Sequence, residues 1–431
     1  MITKSNLGEI IKDFHEKDLP HLIKRSLNIP DYIPLRRSIS LIGPRRSGKT
    51  FRLFQVITEL INNGIEKTRL LYINFERAEL EGITGKDILV LIDTFFEIYP
   101  DNEKKKCWVF FDEIQVVDGW ENSVRTLIDN ERLQLFLSGS SSKLLSREIA
   151  TSMRGRTLTY TIFPLSFLEY LHFKSFKIEK YLSKSGKRNL LSHFRNYLEK
   201  GGYPEVALYE KEREKIHRDI VETTIVRDVI ERYKIRNIKL LRILINTLIN
   251  SIAREFSVHK FYNFVKSQGI KASKDALYNY VDALNDVFFA FPLRKFSYSY
   301  REKEQSLPKM YIIDNGLLTI NGIKDMDKLM ENLVFIELLR KNKEVYYHKS
   351  SNAKETDFVV IENKKVKELI QVCCSLEELS TKERELKSLL KASKELKCNN
   401  LLVITEDKEG EEKIKNKKIK FIPLWKWLLQ V

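Results

Sequence analysis

The stretch GPRRSGKT, Gly43 to Thr50, limits what this chain can fold into more than any other. It matches the pattern G-x-x-x-x-G-K-[ST], which works only where a strand leads into it and a helix follows. Ile39 to Ile42 is a short, mostly apolar run, and FRLFQVITELIN, Phe51 to Asn62, repeats apolar residues at helical spacing, so both flanks are expected. Glycines let a backbone approach a polyphosphate without a clashing Cβ. The loop N–H groups and the helix start then form an anion cradle from Gly43, Pro44, Arg45, Arg46, Ser47 and Gly48. In that cradle Lys49 reaches the β- and γ-phosphates and Thr50 holds Mg²⁺. The plainer alternative is a glycine turn before a helix.

A nucleotide-hydrolysing site needs a second strand to hold the metal and orient a water. CWVFFDEIQ, Cys107 to Gln115, reads as a buried strand ending in two carboxylates. Asp112 is expected to hold the metal through its hydration shell, and Glu113 to polarise the attacking water. Acidic pairs after apolar runs are common, and it is the loop upstream that gives this one its meaning.

At 431 residues the chain has room for about two to four domains. No apolar run approaches the roughly 20 residues of a membrane span, and MITKSNLGEIIKDF does not read as a signal peptide. Cys107, Cys373, Cys374 and Cys398 show neither metal-ligand spacing nor a disulfide framework, as suits a soluble protein of a reducing cytoplasm. The net charge of +16 permits nucleic acid or another anionic surface as partner and identifies neither. Mixed runs such as YEKEREK, Tyr209 to Lys215, read as solvated helix faces.

Along the chain, residues 1–36 read as an amphipathic helical segment. Strands SISLIG, RLLYINF, CWVFFDE, LQLFLSGS and TLTYTIF alternate with helices through residues 37–165. That order implies an α/β parallel sheet with helices on both faces and ligands at the carboxyl ends of its strands. SGSS, Ser138 to Ser141, closes the fourth strand there, and Ser140 either senses the γ-phosphate or completes an ordinary turn.

GPRRSGKT, YINFE, FFDEIQ, SGSSSKLL, MRGR and FPLSFLEYL together resemble the prokaryotic AAA-type P-loop ATPases whose C-terminal domain looks like a PD-(D/E)XK nuclease. The resemblance continues through GGYPEVALY, IIDNGLL and KETDFVV and so covers most of the chain. It implies ATP and Mg²⁺ as ligands and a homo-oligomer. In that family an arginine just before the fifth strand reaches a neighbouring subunit's γ-phosphate. Arg154 and Arg156 occupy the position, with Arg156 preferred over an ordinary surface role. Asn74, ending the second strand, corresponds to a switch that hydrogen-bonds Glu113, or else satisfies its own strand end.

Residues 166–236 read as helices around a GGYP turn, a lid over the nucleotide. From 237 to 305, LLRILINTLINSIA, SVHKFYNFVKSQ and SKDALYNYVDALNDV read as three helices with Ser257 and Ser273 as N-caps, followed by a hairpin in FFAFPLRKFSYSY. Three helices and a wing suggest a winged helix, which would offer Lys271, Lys274 and Asn279 to a DNA groove, with Arg294 and Lys295 on the wing. A packing module that never meets DNA is the alternative.

Residues 306–431 follow the order of restriction-endonuclease-like domains: strand, long helix, three strands, helix, strand. Such sites place an Asp on one strand and an acid, a spacer and a Lys on the next, because residues i and i+2 share a face. Asp357 fits the first place, with Glu355 beside it and Glu331 or Glu337 as helpers from the helix. The second strand departs: Gln371, Val372 and Cys373 stand where an acid, a spacer and Lys belong. A divalent metal loses a hard anionic ligand and the water its cation, so the domain is expected to keep the fold without cutting DNA. Three functions remain open: a DNA-associated ATPase, a regulatory ATP switch acting on a protein partner, and an ATP-gated nuclease.

Overall fold

The computed structural model describes residues 3–34, 36–140, 155–179, 181–350, 355–376 and 379–429. The chain forms two compact units, Met1–Ile162 and Phe163–Val431.

The first unit opens with helix α1, Lys4–Glu16, which Thr3 caps by accepting the N–H of Asn6. The helical segment expected over residues 1–36 ends there. Pro20, Pro30 and Pro34 remove donors and bias the residues before them away from helix. The segment that follows is pinned by polar contacts: Trp108 Nε1 donates to the carbonyl of Asp31 at 2.8 Å, and Arg25 donates to that of Ser47 at 2.8 Å.

Strands β1 (Ser38–Ile42), β2 (Leu70–Asn74), β3 (Cys107–Asp112), β4 (Leu133–Gly139) and β5 (Thr157–Thr161) form an all-parallel sheet of order β2-β3-β4-β1-β5. Every residue of β1, β3 and β4 is buried, as expected of central strands covered on both faces. β1 leads into the Gly43–Gly48 loop and then into α2, Lys49–Asn62. The carboxyl ends of β1, β3 and β4 are neighbours, which sets the loop beside Asp112 and Ser138.

In the second unit the helices Ile238–Asn250, Val258–Ser267 and Lys274–Asp286 form as expected, with Ser257 accepting the N–H of Lys260 and Ser273 that of Ala276. The hairpin expected within FFAFPLRKFSYSY does not form. Its first half becomes β6, Ala290–Leu293, which pairs antiparallel with β7, Lys309–Ile312, across an insertion carrying the helix Tyr300–Gln305. KMYIID therefore belongs to this two-stranded sheet and not to the C-terminal one.

The C-terminal sheet has order β12-β13-β11-β10-β9-β8, built from β8 (Glu344–Lys349), β9 (Glu355–Glu362), β10 (Lys365–Val372), β11 (Leu401–Thr405), β12 (Gly410–Ile414) and β13 (Lys417–Pro423). Period-2 alternation gives it two apolar faces. Phe358, Val360, Ile370 and Leu402 enter a large core shared with helix Met326–Arg340, whereas Val359, Leu369, Val403 and Phe421 pack on Leu386, Leu389 and Ala392 of helix Leu379–Glu395. The large core also takes Phe167, Tyr197, Leu244 and Leu284, so segments expected as lid, winged helix and nuclease-like domain share one interior.

GGYP and IDNG, far apart in sequence, meet inside this unit. The N–H groups of Gly202 and Gly316 donate to the two carboxylate oxygens of Asp314 at 2.6 and 2.8 Å. Gly201 has φ +80, and a Cβ there would lie 1.8 Å from Asp314 Oδ1.

Candidate functional site

The Gly43–Thr50 loop has the backbone an anion cradle requires. Gly43 adopts φ +149, and a Cβ on it would lie 2.2 Å from the carbonyl of Ile162. Gly48 caps α2 in a left-handed conformation with no side-chain hydrogen bond, so the first-turn N–H groups have no side-chain acceptor there. Lys49 is 4% exposed; its Nζ donates to the carbonyls of Gly43 and Pro44 at 3.3 and 3.2 Å and lies 3.6 Å from the Glu113 carboxylate. Arg45 leaves the loop to pair with Glu76 at 3.1 Å. Ser47 is fully buried and its hydroxyl has no partner, while Arg46 turns the loop at φ +62.

Asp112 ends β3 and is fully buried. Thr50 Oγ1 and the Tyr72 hydroxyl donate to its Oδ2 at 2.7 and 2.9 Å, and Ser138 Oγ donates to Oδ1. Burial, then the neighbouring Glu113 charge, push the Asp112 pKa above the ordinary carboxylate range, and these three donors pull against that shift. Ser138 Oγ also accepts the N–H of Glu113 at 3.0 Å. Glu113 itself sits at φ +53, turned out of the strand line, with Gln115 Nε2 donating to its Oε2.

Several residues missed in the sequence therefore shape the site. Ser138 lies in the SGSS stretch from which Ser140 was singled out; Ser140 is buried just beyond the strand end. Tyr72 is two residues before Asn74 and so shares its strand face, a signal the alternation carried. The expected Asn74–Glu113 bond is not made. Asn74 Oδ1 accepts the N–H of Glu76 at 2.8 Å, the local turn that a short amide side chain readily makes, and Gln115 takes the place beside Glu113.

Arg156 pairs with Asp129 at 2.5 Å on the surface, and its carbonyl accepts the N–H of Ser38 at the start of β1. That is the opposite end of a strand whose five residues span about 13 Å, so Arg156 does not join Lys49 within its own chain. Arg154 lies outside the described residues.

A second cluster occupies the other unit. Glu331, Glu355 and Asp357 converge as expected, and the cation missing from β10 is supplied by Lys309 of β7. Its Nζ lies 2.8 Å from Glu331, 2.5 Å from Glu355 and 3.7 Å from Asp357, and its side chain is 2% exposed. The expectation of a cluster without a cation is thus corrected. Burial alone would lower the Lys309 pKa, but Tyr311, Glu331, Asp357 and Glu355 outweigh it and hold the pKa well above its usual value. Burial and the Glu331 charge push Asp357 well up, against the pull of Lys309. Gln371 Nε2 donates to Glu385 at 2.8 Å, while Gln371 Oε1 is buried without a partner. Cys373, raised by burial to about 12, is a neutral thiol. Glu337 does not join; six residues beyond Glu331 it faces another side of the helix and pairs with Arg340 at 2.9 Å.

Of the residues expected to meet DNA, Lys274 and Asn279 are exposed on helix Lys274–Asp286, with Lys271 in the loop before it. Tyr278, missed in the sequence, is 54% exposed on the same helix. Arg294 and Lys295 are not on a hairpin tip: Arg294 pairs with Glu304 at 3.1 Å, and Lys295 bridges to Tyr347 through its backbone. Among the described residues no helix is long and apolar enough to cross a membrane.

Residues 35–171 match the family described as an AAA domain, AAA_14. Residues 191–327 and 326–427 match two domains of unknown function, DUF8612 and DUF4143. An uncharacterized protein of Methanocaldococcus jannaschii is 40% identical over 445 aligned positions, covering 100% of this chain and 96% of that protein. The chain belongs to that protein's family. An uncharacterized Haemophilus influenzae protein is 30% identical over 341 positions, 78% of this chain and 81% of that one. The AAA-type match spans the parallel sheet and the Lys49–Asp112 site, which makes this an AAA-type P-loop protein. Among solved structures, that of the Aeropyrum pernix ORC1 protein in complex with DNA overlaps 79% of this chain and 93% of its own at 12% identity and a TM-score of 0.30, too loosely to assign anything here.

Proposed function

We propose that the protein is a cytoplasmic, homo-oligomeric AAA-type ATPase that hydrolyses ATP with Mg²⁺ and couples its nucleotide state to DNA bound by the second unit. The observation that carries this reading is the convergence of Lys49, Thr50, Asp112 and Glu113 at the carboxyl ends of β1 and β3. The Thr50 hydroxyl and the Asp112 carboxylate, 2.7 Å apart, are the hard oxygen pair that suits Mg²⁺, which would neutralise charge on the phosphates. The chain's own residues do the rest. Lys49 exchanges two loop carbonyls and Glu113 for phosphate oxygens. Glu113, released from that ion pair and aimed by Ser138 and Gln115, accepts the proton of the attacking water. Ser140 lies where β4 ends, within the same edge. Arg156, remote from the site of its own chain, serves the site of a second copy. An Arg156→Ala chain should therefore bind ATP but hydrolyse it poorly, and should regain activity when mixed with Lys49→Ala chains.

Lys271, Lys274 and Asn279, with Tyr278 between them, form the small exposed set that supports a nucleic-acid partner. The C-terminal sheet acts in this reading as a nuclease-like fold that binds without cutting, because Gln371 is uncharged where the pattern wants an acid, and Lys309, the cation that joins the cluster, is held by Glu331 and Glu355.

The test is the ATP hydrolysis rate with and without single-stranded, double-stranded and branched DNA across a salt series. DNA should raise the rate at low salt, and the effect should fade as salt rises, since phosphate contacts release counterions. A Lys49-dependent rate indifferent to every DNA at every salt would refute the DNA coupling and leave a switch acting on a protein partner.

A further inference from the structure

The segment between α1 and β1 carries an arginine that the G-x-x-x-x-G-K-[ST] pattern does not include. Arg25 is 8% exposed, and its guanidinium donates to the carbonyl of Ser47, inside the Gly43–Thr50 loop, at 2.8 Å. A guanidinium tolerates burial only where hydrogen bonds replace its hydration. Its backbone is anchored as well as its head. The Arg25 N–H donates to Gln55 Oε1 at 3.1 Å, and Arg52 donates to the carbonyl of Leu27 at 3.3 and 3.2 Å. Gln55 and Arg52 both belong to α2, the helix that Lys49 begins. Ile29 and Ile33 then enter the core beside Leu41, Leu53 and Val56. The arginine is thus fixed at both ends relative to the loop.

The bond from Arg25 governs the peptide between Ser47 and Gly48. That unit is planar and trans, so its carbonyl and its N–H point in opposite directions. Gly48 has φ +98 and no Cβ, a freedom that would let the unit rotate its carbonyl toward a bound polyphosphate. The neighbouring peptides are held by the loop and the helix themselves: the Ser47 N–H donates to the Pro44 carbonyl at 3.2 Å, and the Arg52 N–H to the Gly48 carbonyl at 2.9 Å. The Ser47 carbonyl takes its bond from Arg25. A charged donor on that carbonyl also polarises the unit and makes the Gly48 N–H a stronger donor on the far side.

We propose that Arg25 is a positioning residue of the nucleotide site: it holds the Ser47–Gly48 peptide with its N–H turned to the β-phosphate and its carbonyl turned away. Arg25 touches no phosphate in this role and acts through the loop. The role rests on the ATPase reading, and it fixes which part of the reaction suffers when the arginine is lost. Loop N–H groups of this kind cradle phosphates that ATP and ADP share, in the ground state and the transition state alike. Binding of both nucleotides therefore weakens, and turnover at saturation stays near that of the parent.

The test measures ATP and ADP affinity, and KM and kcat for ATP hydrolysis, in the parent, Arg25→Met, Arg25→Lys and Lys49→Ala full chains, with Trp108→Phe as a control. Trp108→Phe removes the bond to the Asp31 carbonyl and so loosens the same segment away from the loop. Arg25→Met should raise KM and both dissociation constants by about tenfold, with kcat within about twofold of the parent. Arg25→Lys keeps a cationic donor without the planar fork and should fall between the two. Trp108→Phe should lower the thermal transition and keep the parent's KM. If Arg25→Met does not fold, Arg25→Gln, neutral and still a donor, takes its place in the same comparison. Parent-like affinity in the folded neutral variant, a loss of kcat in place of affinity, or an equal rise of KM in Trp108→Phe would overturn the positioning role. A parent chain that binds neither nucleotide, or a Lys49→Ala chain that binds both as the parent does, would refute the ATPase reading and the role with it.

Discussion

Replacing Ser138 by alanine removes one oxygen and breaks two bonds at the centre of the AAA-type site. The buried N–H of Glu113 loses its acceptor, a cost of about 1–3 kcal/mol, and the Asp112 carboxylate loses a charged hydrogen bond of about 1.5–3 kcal/mol. Thr50 and Tyr72 still donate to Asp112, which keeps the second term near its lower end, so the expected loss is about 3 kcal/mol in the first unit. Amide hydrogen exchange in β3 and β4 peptides, set against the parent, should accelerate by about a hundredfold. The pH dependence adds a sharper criterion. Asp112 has a folded-state pKa raised above its unfolded value of about 3.9, so the unit loses stability as pH rises through that window. Ser138 stabilises the charged form, and its removal therefore matters less once Asp112 is protonated. The mutant-to-parent ratio should shrink as pH falls through the raised pKa. A ratio below about threefold at neutral pH, or one that grows toward acid, would refute the assignment of Ser138 as the bridge between Asp112 and Glu113.

Other positions carry independent expectations. Gly201→Ala combines a left-handed φ with a Cβ 1.8 Å from Asp314 Oδ1 and should destabilise the second unit by about 3 kcal/mol or more, and a parent-like thermal transition would contradict the close packing of GGYP on IDNG. Lys271→Ala with Lys274→Ala should flatten the salt dependence of duplex DNA binding by about 1.8 in log–log slope, whereas an unchanged slope would place the contact elsewhere. The parent protein should leave supercoiled, linear and branched DNA intact with Mg²⁺ or Mn²⁺, and cleavage abolished by Asp357→Ala would instead make the C-terminal cavity a nuclease site.

The parts of this molecule legible in the sequence are those set by local pattern. GPRRSGKT fixes its own loop, and the apolar runs around it mark strands because each is short, unbroken and followed by a helical period. Ser257 and Ser273 announce their helices through N-capping, a contact three residues long. What escaped depends on partners distant in the chain. Lys309 looks like a surface lysine in KMYIID, and only the pairing of β7 with β6 carries it to carboxylates at positions 331, 355 and 357. The hairpin β12–β13, GEEKIKNKKIKFIP, was hidden by its charge, since an edge strand can turn lysines and glutamates to water on both sides of a two-residue turn at Lys415 and Asn416. Asn74 was the partner that the resemblance implied for Glu113; Gln115 donates to Glu113 instead and Asn74 accepts the N–H of Glu76, with Glu113 in a left-handed turn that no spacing rule encodes.

The central claim, that this AAA-type protein hydrolyses ATP at the Lys49–Asp112–Glu113 site, meets its most direct test in one paired measurement on the full chain: ATP affinity by equilibrium binding and phosphate release at saturating Mg²⁺-ATP, for the parent, Lys49→Ala and Glu113→Gln. Lys49→Ala removes a ground-state phosphate contact and should lose ATP binding. Glu113→Gln removes only water activation and should bind ATP as the parent does while its turnover falls by about 10²-fold or more. Phosphate release by Glu113→Gln at the parent rate, or undiminished ATP binding by Lys49→Ala, would contradict the account.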